Sequence, residues 1–234
     1  MTDTPSADLS INRRAPVERI QLDETSWVDV IEGFVRSPDD QLHWFLDSVH
    51  WSQQEVLRYD RYVPERRLGA GLRADAVPML RQADLHLQSV YRQPFDGVAA
   101  LLYRDGRDFQ GLHSDREMRW LDDTVIAIVV LGVRRPFVFR ARTAWTTALA
   151  QKVPSGQGAD DRILLPGEGS MLVMGGRCQA DWLHGVPAAD TDDPRVSLTW
   201  RWARRAGRPD TNPGYADARQ FSDRPRRSGY RSTG

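Results

Sequence analysis

The segment 195–202 alternates between polar and apolar residues over its whole length. Side chains of an extended strand point to opposite faces with a period of two residues. One face would therefore present only apolar side chains, and the other would present Arg195, Ser197, Thr199 and Arg201. This pattern predicts a strand that packs against a core on one side and borders a pocket on the other.

Apolar spacing elsewhere predicts two helices followed by further strands. Apolar residues recur at helical spacing in segments 39–49 and 77–91, which predicts a helix in each. Beyond them, β-branched, apolar or alternating runs predict strands at 124–131, 137–142 and 170–174. Residues 143–161 form a polar insertion without clear periodicity. The pattern as a whole predicts a mainly β domain with flanking helices.

Length and composition predict one folded domain. A chain of 234 residues with 40% hydrophobic content can bury one substantial core, which we place at residues 21–205. Residues 1–20 and 206–234 are rich in Pro, Ser, Gly, Arg and Asp and have little apolar periodicity, so we predict flexible ends. The C-terminal end is rich in arginine and would suit a phosphate backbone. Arginine is abundant throughout the chain, however, so nucleic-acid contact by this tail stays open.

Cysteine usage and hydropathy bear on the compartment. The one cysteine, Cys178, cannot form an internal disulfide. We find no signal sequence and no apolar run of membrane length. We therefore expect a cytoplasmic protein, without membrane contact and monomeric.

A histidine and an aspartate two residues apart form the first part of a candidate metal site. On a strand, His113 and Asp115 would project from the same face and could hold one ion. Of the five histidines, His43, His50 and His86 lie in segments with helical patterns, which leaves His184 as the third ligand. Two imidazoles and one carboxylate leave three positions open, as oxygen-activating Fe(II) requires, whereas zinc would be satisfied by four ligands.

The paired arginines predict an anion site beside the metal. Six residues at ~3.3 Å each separate the Cα atoms of Arg195 and Arg201 by ~20 Å, a gap that two long side chains can close onto a small dicarboxylate. Guanidinium groups match carboxylates better than lysine does. The alternative is a pair of arginines on a solvated edge.

These residues, in this order and spacing, resemble the AlkB-type Fe(II)- and 2-oxoglutarate-dependent dioxygenases. Segments 103–117 and 166–176 resemble the family's sequences before the two iron-binding histidines, and His184-Gly-Val-Pro187 also fits. Weaker similarity begins near Trp27, so the resemblance covers roughly residues 25–205.

The resemblance implies a double-stranded β-helix (jelly-roll) core, with Fe(II), 2-oxoglutarate and O2 as cofactor and co-substrates. His113, Asp115 and His184 would bind iron. Four residues would form the co-substrate site: Arg195 would pair with the distal carboxylate, Tyr103 would hydrogen-bond it, Arg201 would lie near the proximal carboxylate and Asp115, and Ser197 stands where asparagine is frequent. Leu101 likewise replaces a common asparagine, so co-substrate binding should be weaker by about 0.5–1.5 kcal/mol for each lost hydrogen bond.

The family's activity implies oxidative demethylation of alkylated nucleobases in DNA or RNA, a DNA-damage repair reaction that releases formaldehyde, succinate and CO2. Glu117 and Trp182 are candidate substrate contacts, and Phe109 and Trp120 could flank the mouth. The family's nucleotide-recognition lid should lie in residues 63–90, which contain no Phe, Trp or Tyr. Because base extrusion costs a few kcal/mol, we predict a preference for single-stranded or unpaired methylated substrate.

Two other functions stay open at this stage. A hydroxylase of a protein or small molecule would have the same iron site but no affinity for nucleic acid. A non-catalytic nucleic-acid-binding relative would fit the changes at Leu101 and Ser197, but all three iron-ligand positions are intact.

Overall fold

The computed structural model describes residues 10–58, 61–95, 97–115, 118, 121–142 and 161–203, with only the backbone described at 56–58, 61, 202 and 203. Within these ranges, the helices are α1 (Pro38–Ser48), α2 (Pro78–Tyr91) and α3 (Cys178–Asp181). The strands are β1 (Glu18–Gln21), β2 (Ser26–Ile31), β3 (Ser52–Arg58), β4 (Arg61–Leu72), β5 (Val98–Tyr103), β6 (Gln110–His113), β7 (Thr124–Gly132), β8 (Phe137–Ala141), β9 (Arg162–Leu164), β10 (Met171–Gly176), β11 (Trp182–Val186) and β12 (Arg195–Ala203).

The strands of the described chain form two antiparallel sheets. The larger has the order β1-β2-β10-β7-β12-β5-β4-β3, and the smaller has the order β6-β11-β8-β9. From β5 to β12 the chain passes repeatedly between the two sheets, as in a double-stranded β-helix. The predicted jelly-roll core with flanking helices is therefore confirmed.

The central strand of the larger sheet, β7, is buried along its whole length. It pairs with β10 on one side and β12 on the other. Val125, Ala127 and Val129 pack toward the helices, whereas Ile126 and Ile128 pack toward the smaller sheet. A strand covered on both faces needs apolar residues at every position, which explains its continuous apolar run.

Helices α1 and α2 cover the outer face of the larger sheet. Phe45 of α1 and Leu80 of α2 are fully buried in the cluster that also contains Trp200 of β12. Pro38 and Pro78 lie in the first turns, where proline costs no hydrogen bond. Both helices begin and end within one residue of the predicted bounds.

The N-terminal prediction was wrong in part. Residues 10–20 were predicted to be flexible, but Ile11 is buried and forms a β-bridge with Val35. Strand β1 begins at Glu18 and pairs with β2. A single buried side chain in a polar segment gives no periodicity, so the sequence did not reveal this contact. The 206–234 tail and all but residue 161 of the 143–161 insertion lie outside the described residues.

The β3–β4 hairpin was not predicted either. It forms the edge of the larger sheet, and β4 pairs with β5. Many of its side chains are exposed and polar, so no alternation marks it in the sequence. Among the described helices, none has the length and apolar character needed to cross a membrane.

Candidate metal centre and co-substrate pocket

The three predicted iron ligands lie together at the inner side of the smaller sheet. His113 ends β6 and lies directly opposite His184 of β11, and their ring centroids are 4.4 Å apart. Asp115 follows just beyond the end of β6. One ligand atom of each residue lies within 4.8 Å of the other two. Two imidazoles and a carboxylate in this arrangement fit one ion and leave further coordination positions open.

Local contacts hold both imidazoles in the form that binds a metal. His113 Nδ1 lies 2.9 Å from the Gly111 carbonyl oxygen. Because a carbonyl only accepts, Nδ1 must carry the proton, which leaves the Nε2 lone pair available. Burial, and then the neighbouring His113, lowers the pKa of His184 to about 3. Burial also lowers the pKa of His113. The His184 ring stacks on Phe137 at a centroid distance of 5.8 Å, which fixes its plane.

Asp115 is held as an oriented carboxylate. Burial favours its neutral form, but Arg201 and the two histidines hold the pKa of Asp115 well below its usual range. Arg201 Nε donates to Asp115 Oδ2 at 2.6 Å. The Asp115 backbone N–H donates to Oε1 of Gln179 at 2.8 Å. Gln179 belongs to α3, immediately before the strand of His184, so one side chain joins the two ligand-bearing segments.

Arg195 is a buried cation that lacks a complete set of partners. It is 0% exposed, and its Nη1 donates to Ser197 Oγ at 2.5 Å. Its Nε and Nη2 atoms have no hydrogen-bond partner in the described part of the protein. Burial lowers the pKa of Arg195 to about 10, and the nearby Arg135 and Arg67 act in the same direction. A charged group buried without a counter-ion is costly, so this site is suited to an anion.

The metal site lines a cavity between the sheets, and Arg195 lies behind its wall, in contact with the lining residues Ser197 and Tyr103. Its walls combine the three metal-site residues with polar groups from β12 and with apolar side chains from both sheets. The lining residues are Arg67, Leu101, Tyr103, Gln110, His113, Asp115, Ile126, Ile128, Phe137, His184, Gly185, Val186, Ser197, Thr199 and Arg201. Three of the four residues on the polar face predicted for β12, Ser197, Thr199 and Arg201, therefore border the cavity, whereas Val196, Leu198 and Trp200 pack beneath the helices.

The two predicted arginines have different roles. Arg201 already has a carboxylate partner in Asp115. Arg195 has only the Ser197 hydroxyl among its hydrogen-bond partners in the described chain. The two therefore do not present matching free guanidinium groups, and Arg195 is the one available to an incoming carboxylate. Ser197 lies opposite Leu101 in the sheet, so both predicted departures from the family meet at the same wall.

The residues predicted to contact the substrate lie in different parts of the molecule. Trp182 is buried between the sheets, and its Nε1 donates to Asp23 Oδ2 at 2.5 Å. It is not among the residues that line the cavity, which speaks against its assignment as a substrate contact, and its indole N–H is already paired with Asp23. Glu117 and Trp120 lie outside the described residues. Phe109 is 39% exposed and stays a candidate at the mouth.

The hairpin β3–β4 carries an exposed aromatic ring next to the predicted lid segment. Its strand β4 begins at Arg61, and Tyr62 is 66% exposed on it. This ring lies one residue before the 63–90 segment that lacks such side chains. The lid at 63–90 stays a prediction, and Tyr62 is an exposed aromatic residue directly before it.

Three residues near the cavity were missed by sequence reasoning. Gln179 contacts Asp115, as described above, and Arg67 donates to the Tyr103 hydroxyl at 2.9 Å. Arg135 is fully buried and donates to backbone carbonyls, among them those of Asp108 and Pro187. It ties the loops after β5 and β11 together. Each acts across distant parts of the chain, so no local motif could have revealed it.

The fold and this site define a mononuclear iron oxygenase with an anionic co-substrate. A family model described as the 2OG-Fe(II) oxygenase superfamily matches residues 41–201. The chain therefore belongs to the 2OG-Fe(II) oxygenase superfamily, and it is of the AlkB type, an Fe(II)/2-oxoglutarate-dependent dioxygenase.

Two relatives illustrate the likeness in sequence. The alpha-ketoglutarate-dependent dioxygenase alkB homolog 3 of Mus musculus is 29% identical over 212 residues, which cover 80% of this chain and 71% of that protein. The DNA oxidative demethylase ALKBH2 of Homo sapiens is 34% identical over 126 residues, which cover 53% of this chain and 46% of that protein. The second match thus spans about half of each chain.

Solved structures show the likeness in fold. The crystal structure of HygX from Streptomyces hygroscopicus, with nickel and 2-oxoglutarate bound, has a TM-score of 0.55 at 13% identity and covers 82% of this chain and 92% of that one. The non-heme alpha ketoglutarate dependent epimerase SnoN has a TM-score of 0.51 at 15% identity, with coverages of 88% and 91%. At these identities the likeness concerns the fold alone.

Proposed function

We propose that this protein oxidatively demethylates alkylated nucleobases in DNA or RNA, using Fe(II), 2-oxoglutarate and O2. The central observation is that a His-Asp-His cluster lines a cavity whose other lining residues, Ser197 and Tyr103, contact the incompletely paired cation Arg195. The names of the AlkB-type relatives, which include a DNA oxidative demethylase, support the substrate class.

The residues at the cavity would have separate roles. His113, Asp115 and His184 would hold the iron, and Arg195 and Tyr103 would bind the distal carboxylate of 2-oxoglutarate. Arg201 keeps Asp115 ionised and oriented through its 2.6 Å hydrogen bond. When bound, iron with 2-oxoglutarate and O2 supplies the oxidising power that hydroxylates an N-methyl group. The hydroxymethyl product then loses formaldehyde, and succinate and CO2 are the other products.

Apolar side chains would keep water away from the reacting groups. Ile126, Ile128 and Phe137 line the cavity from β7 and β8. Exclusion of water strengthens the charge interactions of Arg195 and Asp115 and limits side reactions.

The test of this proposal measures formaldehyde from methylated oligonucleotides. Wild-type protein with Fe(II) and 2-oxoglutarate should release formaldehyde from one or more N-methylated DNA or RNA strands, and none from the unmethylated strands. Asp115→Ala protein serves as the control for unrelated oxidation. If 2-oxoglutarate is converted to succinate but no methylated strand yields formaldehyde, the substrate is a protein or a small molecule instead.

We further propose that the substrate is single-stranded or unpaired, and that the enzyme acts as a cytoplasmic monomer. Removing a base from a duplex costs a few kcal/mol, and one stacking contact returns ~1–3 kcal/mol. Formaldehyde release from one methylated sequence, single-stranded and annealed, should be faster from the single strand at fixed salt. Equal or faster repair of the duplex would contradict this preference, and Tyr62→Ala would then show whether the exposed ring assists extrusion.

A further inference from the structure

Arg67 is a largely buried arginine with few polar partners among the described residues. It lies on β4, is 12% exposed, and lines the cavity together with Tyr103. The register of β4 with β5 pairs Leu68 with Leu102, which places Arg67 beside Tyr103 across the sheet. Its single carboxylate contact among the described residues is long, 3.5 Å from Nε to Glu65 Oε2.

The contact between Arg67 and Tyr103 determines which way the tyrosine hydroxyl can donate. Arg67 Nη1 donates to Tyr103 Oη at 2.9 Å. A guanidinium group only donates, so the tyrosine oxygen must act as the acceptor in this bond. The hydroxyl hydrogen then has to be given to a different group.

The other charged neighbours of the ring cannot accept that hydrogen. The guanidinium carbons of Arg135 and Arg195 lie 5.2 Å and 5.3 Å from the Tyr103 ring centroid. Both groups are donors only. Within the described residues, the hydrogen bonds of Arg135 go to backbone carbonyls and that of Arg195 goes to Ser197. The three arginines thus surround Tyr103 with positive charge and offer its hydrogen no acceptor.

We propose that Arg67 is a positioning residue for 2-oxoglutarate: it holds the Tyr103 hydroxyl so that its hydrogen is donated to the distal carboxylate bound by Arg195. A carboxylate accepts from both groups at once, which gives the tyrosine hydrogen an acceptor and the buried Arg195 a counter-ion. The inference rests on the assignment of 2-oxoglutarate to this cavity. It is independent of the nucleic-acid substrate.

Calorimetric titration of 2-oxoglutarate into the Mn(II)-loaded protein without O2 tests this role, because it requires neither turnover nor nucleic acid. Arg67→Met and Tyr103→Phe should each raise the Kd of 2-oxoglutarate, by roughly tenfold for a lost charge-assisted contact. The double variant should bind no worse than the weaker single variant, since both changes remove the same interaction. Arg67→Lys should restore part of the affinity. Arg66→Met, an exposed neighbour on the same strand, should leave the Kd unchanged.

A second ligand separates positioning from general damage to the cavity. 2-Oxopentanoate has a methyl group in place of the distal carboxylate, so its weaker binding should be the same in wild type, Arg67→Met and Tyr103→Phe. Three results would each overturn the proposal. They are an equal rise in the Kd of both ligands, additive losses of affinity in the double variant, and an unchanged Kd for 2-oxoglutarate. If Arg67→Met does not fold, as judged by thermal unfolding, Arg67→Gln serves in its place. If the wild-type protein bound no 2-oxoglutarate, the assignment of this co-substrate to the cavity would itself be wrong.

Discussion

At the scale of single residues, the cavity contains one carboxylate whose charge is compensated and one cation whose charge is not. Asp115 is paired with Arg201 and also hydrogen-bonded through its backbone N–H. Arg195 is fully buried and has two nitrogen atoms without partners in the described chain. The polar contacts of Asp115 are complete before any ligand binds, whereas the unpaired nitrogen atoms of Arg195 would be satisfied by a bound anion. This contrast distinguishes a metal ligand from a co-substrate anchor.

The first prediction concerns the metal ligand. Asp115→Ala should abolish Fe(II)-dependent turnover and stoichiometric metal binding, because a site with two imidazoles alone lacks its anionic ligand. The fold should persist, since Asp115 lies beyond the end of β6 rather than in either core cluster. Metal content by mass spectrometry and the circular dichroism spectrum provide the measurements. His43→Ala, an exposed histidine on α1, is the matched control and should bind metal normally.

The second prediction concerns the anion site. Arg195→Lys keeps the charge but loses the planar pair of donors, so the Kd of 2-oxoglutarate should rise by roughly 10- to 100-fold, corresponding to about 1.5–3 kcal/mol. The concentration of 2-oxoglutarate needed for half-maximal turnover should rise with it. Arg134→Lys, at a largely exposed arginine, should leave both values unchanged. If Arg195→Lys needed the same concentration of 2-oxoglutarate as the wild type, the assignment of β12 to the co-substrate site would be wrong.

At the scale of elements, the site depends on how the ends of strands are joined. His113 and His184 are directly paired in the antiparallel β6–β11 ladder, whose register shifts only beyond them, so the sheet itself sets their spacing. Asp115 has left the strand, and its position depends on α3 through Gln179. Gln179 is fully buried, and its Nε2 has no hydrogen-bond partner in the described chain. Asp115 is therefore held by side-chain contacts with Gln179 and Arg201 rather than by a strand ladder.

The third prediction tests this connection. Gln179→Leu keeps the volume but leaves the Asp115 N–H without an acceptor. Metal affinity should fall by roughly 10- to 100-fold, as for other contacts that orient ligands. Overall stability should change little, because the unpaired Nε2 is removed at the same time. Metal titration and chemical denaturation of the same variant separate the two effects, and Gln88→Leu on the exposed face of α2 is the control. A loss of stability without a loss of metal affinity would show that Gln179 serves the fold only.

At the scale of the whole molecule, two cores share the larger sheet. One lies beneath α1 and α2, and the other lies between the sheets and surrounds the candidate site. The second core includes the cavity, and the incompletely paired Arg195 lies behind the lining residues Ser197 and Tyr103. Ligands that fill it should therefore stabilise the whole fold rather than a local segment.

The fourth prediction measures that stabilisation. Mn(II) with 2-oxoglutarate at about 100 times its Kd should add about 2.7 kcal/mol to the free energy of unfolding. At roughly 2–4 °C per kcal/mol for a chain of this size, the unfolding midpoint should rise by about 5–10 °C. Chelation of the metal should reverse the shift. The Asp115→Ala protein should show none, and a shift in that variant would mean that the ligands bind elsewhere.

Local patterns were enough to find the chemical groups of the site. The alternation on β12 correctly placed Ser197, Thr199 and Arg201 at a cavity, because a strand between two covered faces admits only one arrangement of side chains. The spacing of His113 and Asp115 and the single suitable distant histidine likewise identified the cluster that the structure brings together. The sequence failed where polar edge strands have no alternation, as in β3–β4, and where one buried residue anchors a polar segment, as Ile11 does.

By itself, then, the sequence determined the mainly β fold, the ligand set and the arginine strand, since each follows from residue types at short, regular spacing or from a resemblance carried by them. Only the tertiary structure decided which arginine is paired and which is available, because that depends on contacts such as Arg201 with Asp115 across 86 positions. It also decided that Trp182 belongs to the core and that Arg67 contacts Tyr103, since both depend on buried polar groups finding partners far away in the chain.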